Sequence, residues 1–123
     1  MKKTLIYLAS PYTSSLCNRV EREVQQRRRE QEVSCLAFRL LQEGDLVFCP
    51  ISHGVKIQER TGFKLDWMGL DLTILGRCDK LYIADMDGWK DSAGVDMEMT
   101  EARRLSIPMY LIDKDNLMPT RLH

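Results

Sequence analysis

Four short apolar segments, separated by longer helical patterns, constrain the fold of this chain more than any other feature. The segments are TLIYLA (4–9), LVFCP (46–50), KLYIADM (80–86) and PMYLID (108–113). Their apolar residues are continuous rather than alternating, which is typical of parallel strands covered on both faces. Helical patterns lie between the segments, over roughly 17–43, 63–77 and 93–105.

This alternation of strands and helices predicts an α/β fold, a three-layer flavodoxin-like (Rossmann-like) domain with a four-stranded parallel sheet in the order 2-1-3-4. The 123 residues fit a single domain over 1–123, too small for a catalytic domain with a separate cap. Ligands of such sheets bind beyond the carboxyl ends of the strands. The residues that follow each strand are therefore the first candidates for a site.

Charge and composition narrow the classes of partner. The chain has 18 basic and 18 acidic residues, so no global field favours nucleic acid or a membrane surface. No apolar run reaches the length of a membrane span, and MKKTLIYLAS does not resemble a signal peptide. The four cysteines are far apart and form no CxxC pair, which predicts packing thiols in a reduced, cytoplasmic protein and argues against a zinc site.

Glu98 interrupts the apolar stripe of the third predicted helix, which Val95 and Ala102 define. A carboxylate in an apolar stripe is costly unless it is paired or its pKa is raised. Gly94, one turn earlier, leaves room for a ligand to approach this carboxylate. The local pattern leaves open whether Glu98 faces a ligand or tilts to solvent at the edge of the stripe.

Asp71 repeats this anomaly on the second predicted helix, where it shares a face with Trp67 and Ile74. Asp66 is its expected solvent-facing counterpart. Two carboxylates, each embedded in the apolar face of a different helix, could flank one reacting centre. A nucleophile and a general acid need that arrangement to break a glycosidic bond.

Ser92 is suited to cap the start of the third predicted helix, with its hydroxyl accepting from first-turn amides. Such a helix start, with a glycine nearby, can also bind phosphate, because free amides and the helix dipole favour negative charge there. The pattern alone leaves both roles open. Arg19 is a candidate phosphate contact because it follows the first strand closely, whereas the polar stretch EREVQQRRREQE is predicted to be a solvated face.

The motif DMDG at the end of the third strand suggests a competing chemistry. In phosphatases of the haloacid dehalogenase type, D-x-D-G supplies a nucleophile and an acid, which would here be Asp85 and Asp87. Such enzymes carry the motif on their first strand, and too little chain follows it here for their remaining elements. Asp87 and Gly88 are therefore interpreted as a turn, and Asp85 as a candidate ligand contact at a strand end.

Further candidates follow the first two strands. His53, in PISHG, is expected to be structural or a weak substrate contact. Ser10 lies at the predicted ligand-binding edge of the sheet. Tyr7 lies inside the first strand and Tyr12 in the loop beyond it, and either tyrosine could hold a carboxylate by a hydrogen bond.

Taken together, these segments resemble the nucleoside 2-deoxyribosyltransferase superfamily. Within it, they are closest in motif to the 2′-deoxynucleoside 5′-phosphate N-hydrolases and to small bacterial and phage relatives. The matching segments are YLASPYT, LDLTILGRCDKLYIAD and SAGVDMEMTEA, and the match extends from Leu5 to Tyr110. Two segments depart from the pattern: PISHG is not part of it, and DGWKD is longer than the corresponding turn.

The resemblance implies roles for individual residues. Glu98 would be the catalytic glutamate, and Asp71 the aspartate that aids departure of the base. Ser92 would contact the 5′-phosphate, while Asp91 could hold sugar hydroxyls as an acidic residue does in the transferases. Tyr7 or Tyr12 would position the glutamate. Trp89, in the longer turn, would either close over the base or pack.

The sequence therefore predicts an N-glycosidase that cleaves, or transfers across, the base–sugar bond of a nucleoside 5′-monophosphate or related (deoxy)nucleoside. It would need neither a metal nor a cofactor, and the resemblance implies a homodimer. The predicted catalytic residues are Glu98, Asp71 and Tyr7. The predicted substrate contacts are Ser10, Tyr12, Arg19, His53, Asp85, Trp89, Asp91, Ser92 and Gly94. The alternatives are a phosphatase using Asp85 and Asp87 and a non-catalytic nucleotide-binding protein.

Overall fold

The computed structural model describes residues 3–62 and 65–123. Within that part of the chain, a five-stranded sheet runs in the order β2-β1-β3-β4-β5. The strands are β1 (Leu5–Ala9), β2 (Leu46–Phe48), β3 (Lys80–Ala84), β4 (Met109–Ile112) and β5 (Pro119–Leu122). Neighbours among β1 to β4 pair in parallel, and β5 is antiparallel to β4. The predicted α/β flavodoxin-like fold and the order of its first four strands are confirmed.

The fifth strand corrects the predicted count of four. Its sequence, PTRL, has no continuous apolar run, because three of its four residues are exposed at the edge of the sheet. A turn returns the chain onto β4, and the Asp113 carboxylate stabilises it by accepting hydrogen bonds from the amides of Asp115 and Asn116, at 2.8 and 3.0 Å. An edge strand of this kind leaves little hydrophobic signal in the sequence.

The helices are α1 (Arg19–Gln42), α2 (Pro50–Thr61), α3 (Trp67–Leu75) and α4 (Ala93–Arg104). The helix α2, which contains the segment PISHG, is not among the three predicted helices. Pro50 occupies the first turn of α2, where its missing N–H costs nothing, and Gly62 ends the helix in the left-handed conformation with φ 73°. The predicted start of the following helix at Phe63 lies outside the described residues.

Apolar layers cover both faces of the sheet, which explains the continuous apolar strands. On one face, α1 packs Val33, Leu36 and Leu40 against alternate residues of β1. On the other face, residues of α3 and α4 join a second cluster, which contains Tyr7 from β1. Because side chains alternate along a strand, Tyr7 points to the face of the sheet that α3 and α4 cover, opposite to the face covered by α1. Among the described residues, no helix combines the length and the apolar composition that a membrane span requires.

Candidate active site

A cavity of about 210 Å³ lies beyond the carboxyl ends of β1 and β2. Its walls come from the segment after β1, from α2 and α3, and from the start of α4. The lining residues are Ser10, Tyr12, Thr13, Pro50, Ile51, Gly54, Val55, Gln58, Trp67, Met68, Asp71, Ser92, Gly94 and Glu98. This candidate catalytic cavity (the catalytic cavity) brings together six of the predicted site residues: Ser10, Tyr12, Asp71, Ser92, Gly94 and Glu98.

Glu98 is the most deeply buried acid of the cavity, with 5% of its surface exposed. Its Oε2 accepts a hydrogen bond from the Tyr7 hydroxyl, so Tyr7 rather than Tyr12 holds this carboxyl group. Burial raises the pKa of Glu98 to about 7, while the hydrogen bond from Tyr7 opposes that rise. Burial and the charge of Glu98 raise the pKa of Tyr7, which therefore remains a proton donor.

Asp71 is the second carboxyl group of the cavity and is half-buried. Burial raises its pKa to about 6, and the nearby positive charge of His53 opposes that rise. Because Asp71 has the lower pKa, it ionises first, and its charge adds to the rise in the pKa of Glu98. The two acids thus lie close enough to influence each other and differ in their environments.

The start of α4 borders both the catalytic cavity and a second, adjoining one. Ser92 caps the helix, its Oγ accepting from the Val95 amide at 3.2 Å. The second cavity measures about 350 Å³ and shares Thr13, Ser92 and Gly94 with the first. Its other lining residues include Ser14, Ser15, Arg29, Asp91 and Ala93. A ligand could therefore extend from the carboxyl pair, across the helix start, into a region rich in hydroxyl groups.

Arg29 is the basic residue of this adjoining cavity. Its guanidinium donates to the Thr13 carbonyl at 2.8 Å and to the Asp87 carbonyl at 3.4 Å, and so ties the segment after β1 to the turn before α4. Arg19, predicted for this place, borders neither cavity. It is exposed and pairs with Glu23 at 3.2 Å. Arg29 lies nearly three turns after the first residue of α1. The helix therefore borders the adjoining cavity within the stretch EREVQQRRREQE, which was predicted to be a solvated face.

His53 belongs to α2 and lies in an aromatic cluster beside the catalytic cavity. The centre of its ring is 5.7 Å from that of Phe48 and 6.4 Å from that of Trp67. Although His53 does not line the cavity, its charge reaches Asp71. The structure thus places His53 next to the site, where it acts on the carboxyl group through its charge.

The remaining predicted contacts lie away from the carboxyl pair. Trp89 packs against the apolar cluster of the second sheet face, with the Lys90 ammonium 5.7 Å from the centre of its ring. Asp85 is exposed and lines neither cavity, whereas Asp91 lines the adjoining one. Among residues 3–62 and 65–123, no group of three or more His, Cys, Asp or Glu side chains could hold a metal ion.

Sequence reasoning missed several polar residues of these cavities, among them Gln58 and Arg29. Gln58 lies on the unpredicted helix α2, and Trp67 donates its indole N–H to the Gln58 Oε1 at 2.9 Å. Arg29 lies in a mixed-charge stretch in which nothing distinguishes it from Arg27 and Arg28. Only the contact between distant segments identifies it.

Residues 4–114 match the model of a family described as a domain of unknown function, DUF1937. The chain belongs to this family. No curated protein matches it. Among solved structures, it is similar to the 2-deoxyribosyltransferase from the psychrotolerant bacterium Bacillus psychrosaccharolyticus, with 22% identity and a TM-score of 0.50 over 94% of this chain and 76% of that one. The likeness shows that the two proteins share a fold, as the resemblance to the nucleoside 2-deoxyribosyltransferase superfamily implied.

Proposed function

We propose that this DUF1937 protein is an N-glycosidase acting on a nucleoside 5′-monophosphate or a related (deoxy)nucleoside. One observation carries the proposal: Glu98 and Asp71, from different helices, border one cavity, and burial raises the pKa of both. Acids with raised pKa values in a cleft are typical of catalytic sites. The fold it shares with a 2-deoxyribosyltransferase supports the same reaction class. The homodimer and the cytoplasmic location stay predictions.

In the proposed mechanism, the reactive state of the pair has Glu98 ionised and Asp71 protonated, the less populated of the two singly protonated forms because Asp71 ionises first. The ionised Glu98 attacks the anomeric carbon and forms a glycosyl ester. The bond between that carbon and the base nitrogen breaks, its electron pair moves to the base, and Asp71 donates a proton to the departing base. Water, activated by the ionised Asp71, then hydrolyses the ester and releases the sugar phosphate. A second base in place of water would complete a transfer. Tyr7 holds the Glu98 carboxylate in position throughout.

The first test is to identify the products formed from a panel of nucleoside 5′-monophosphates. Because no metal takes part in the proposed mechanism, we expect free base and sugar phosphate, in amounts that a chelator does not change. Chromatography of base and sugar phosphate, with a parallel assay for inorganic phosphate, measures the outcome. Inorganic phosphate formed only with magnesium would instead favour the phosphatase alternative of Asp85 and Asp87. Binding without any turnover would favour a non-catalytic nucleotide-binding protein.

The start of α4 is the proposed phosphate site, and Ser92→Ala tests it. If the hydroxyl contacts the phosphate, the change should lower kcat/KM for a nucleotide by a factor that corresponds to about 1.5–3 kcal/mol, the contribution of a charge-assisted hydrogen bond. The matching nucleoside, a poor substrate, should be little affected. Loss of the cap alone should cost about 0.5–2 kcal/mol of stability and affect both substrates alike.

Asn18→Ala is the matched control for that experiment. Asn18 caps α1 through a bond from the Glu21 amide at 3.1 Å and borders neither cavity. The Asn18→Ala change should lower the free energy of unfolding in the same way. It should not change kcat/KM for the nucleotide relative to kcat/KM for the nucleoside. Equal losses of kcat/KM for both substrates in Ser92→Ala would leave Ser92 as a cap and favour a nucleoside-level transferase.

A further inference from the structure

Gln58 and Trp67 make a polar contact in the wall of the catalytic cavity that the proposed mechanism does not use. Gln58 comes from α2 and Trp67 from α3, and both line the cavity together with Asp71. The Trp67 Nε1 donates to the Gln58 Oε1 at 2.9 Å. The contact therefore lies in the wall that contains the proposed proton donor to the base.

The Trp67 indole fixes which end of the Gln58 amide faces a ligand. An indole N–H can only donate, so the atom opposite it must be the amide oxygen. The amide NH₂ group is then directed away from the indole, and no described residue accepts a hydrogen bond from it. Since Gln58 lines the cavity, this NH₂ is a donor available to a bound molecule.

The same wall suits a flat aromatic ring. Trp67 and Met68 supply apolar surface for stacking, and Asp71 follows Trp67 by one turn on the same face of α3. Gly54 lies against the indole: a Cβ there would be 3.5 Å from the ring, already in van der Waals contact. A base stacked on this wall, with its glycosidic nitrogen towards Asp71 and Glu98, has another edge available to Gln58.

We infer that Gln58 selects bases that present a carbonyl oxygen, rather than an amino group, at the edge facing α2. This inference rests on the proposed function, because it takes the leaving group to be a nucleobase. A carbonyl oxygen accepts from the Gln58 NH₂, whereas an amino group would bring two donors together and leave both unpaired in a half-buried site. Uracil is therefore preferred over cytosine, and hypoxanthine over adenine, by roughly tenfold to a hundredfold.

Calorimetric titration tests this preference separately from catalysis. The Glu98→Gln protein is titrated with the 2′-deoxynucleoside 5′-monophosphates of uracil and cytosine, and of hypoxanthine and adenine. The measured quantity is the Kd of the amino-base nucleotide divided by the Kd of the carbonyl-base nucleotide in the same pair. The pyrimidine or the purine pair is used, whichever binds more tightly. Any general weakening of binding cancels in this ratio.

Two further changes, made in the same background, distinguish selection from simple packing. Gln58→Glu replaces the NH₂ by an oxygen while the other oxygen still accepts from Trp67, so the preference should reverse towards the amino base. Trp67→Phe keeps an aromatic wall but removes the donor that orients the amide, so the ratio should fall towards one. Gln31→Glu, at an exposed position of α1, is the control and should leave the ratio unchanged.

Each outcome decides the inference. A preference for the carbonyl base that Gln58→Glu reverses and Trp67→Phe reduces supports it, whereas a ratio that Trp67→Phe leaves unchanged would contradict the orienting role of the indole. Equal affinities, a preference for the amino base before Gln58 is changed, or a ratio that Gln58→Glu does not alter would overturn it and leave the proposed function standing. If none of the four nucleotides binds, both the inference and the proposed function fail.

Discussion

Glu98→Gln is expected to abolish base release, with a loss in kcat of well over a hundredfold, while the fold is retained. The amide keeps the volume of the carboxyl group, and its oxygen can still accept from Tyr7, but it cannot attack the anomeric carbon. Turnover is measured by chromatography of the released base. Glu101→Gln is the matched control, because it makes the same change on α4 at a residue outside both cavities. Turnover close to wild type in Glu98→Gln would contradict the nucleophile assignment.

The same variant should also change how stability depends on pH. Burial holds the pKa of Glu98 near 7 in the folded state, against an ordinary value of 4.5. Folding therefore disfavours ionisation, and this group makes the protein less stable as pH rises from about 4.5 through about 7. Glutamine carries no charge, so Glu98→Gln should be more stable than wild type at pH 8, by on the order of 3 kcal/mol.

Denaturant titrations of both proteins at pH 4 and pH 8 measure this effect. The two should have similar free energies of unfolding at pH 4, where Glu98 is protonated in both the folded and the unfolded state. If the free energies of unfolding of Glu98→Gln and wild type differed by the same amount at pH 4 and pH 8, burial of the Glu98 charge would not be the cause of the difference. A carboxylate that destabilises its own fold at neutral pH is expected where function has placed it.

The carboxyl pair could be predicted from the sequence because burial of a charge leaves a local signature. Glu98 and Asp71 each interrupt an apolar helical stripe, and the structure places both in the catalytic cavity. The prediction of Tyr7 rather than Tyr12 as the catalytic tyrosine had no firm physical basis in the sequence, because the choice depends on which face of β1 meets α4. The five-residue length of β1 and its burial on both faces give no sign of this in the sequence.

Arg29, Gln58 and β5 could not be predicted for a different reason. Arg29 acquires its role from a carbonyl 58 positions further along the chain, at Asp87. Gln58 acquires its proposed role from its hydrogen bond with Trp67, on the next helix. β5 is an exposed edge strand without an apolar run. By contrast, α2 had usable signals, Pro50 at its start and Gly62 at its end, which the prediction did not use.

Asp71→Asn is expected to lower kcat by about 10²–10⁴, the usual contribution of a general acid, for substrates whose base must be protonated to leave. Asparagine matches the shape of aspartate and cannot donate the proton. A substrate with an activated leaving group, which departs without a proton, should be affected far less. Asp66→Asn is the control, because Asp66 is exposed, immediately precedes α3 and makes no capping bond.

The pH dependence of kcat/KM assigns the role of Asp71 independently. The proposed mechanism needs Glu98 ionised and Asp71 protonated, which is one of the two singly protonated forms of the pair. The population of singly protonated pairs rises and falls with limbs near 6 and 7, so kcat/KM of the wild type should follow a bell with those limbs. Below the lower limb both groups hold protons and Glu98 cannot attack, and above the upper limb both are ionised and Asp71 has no proton to give. In Asp71→Asn the residual activity should rise with pH to a plateau, because only Glu98 still titrates. A descending limb that persists in this variant would assign the acid to another residue.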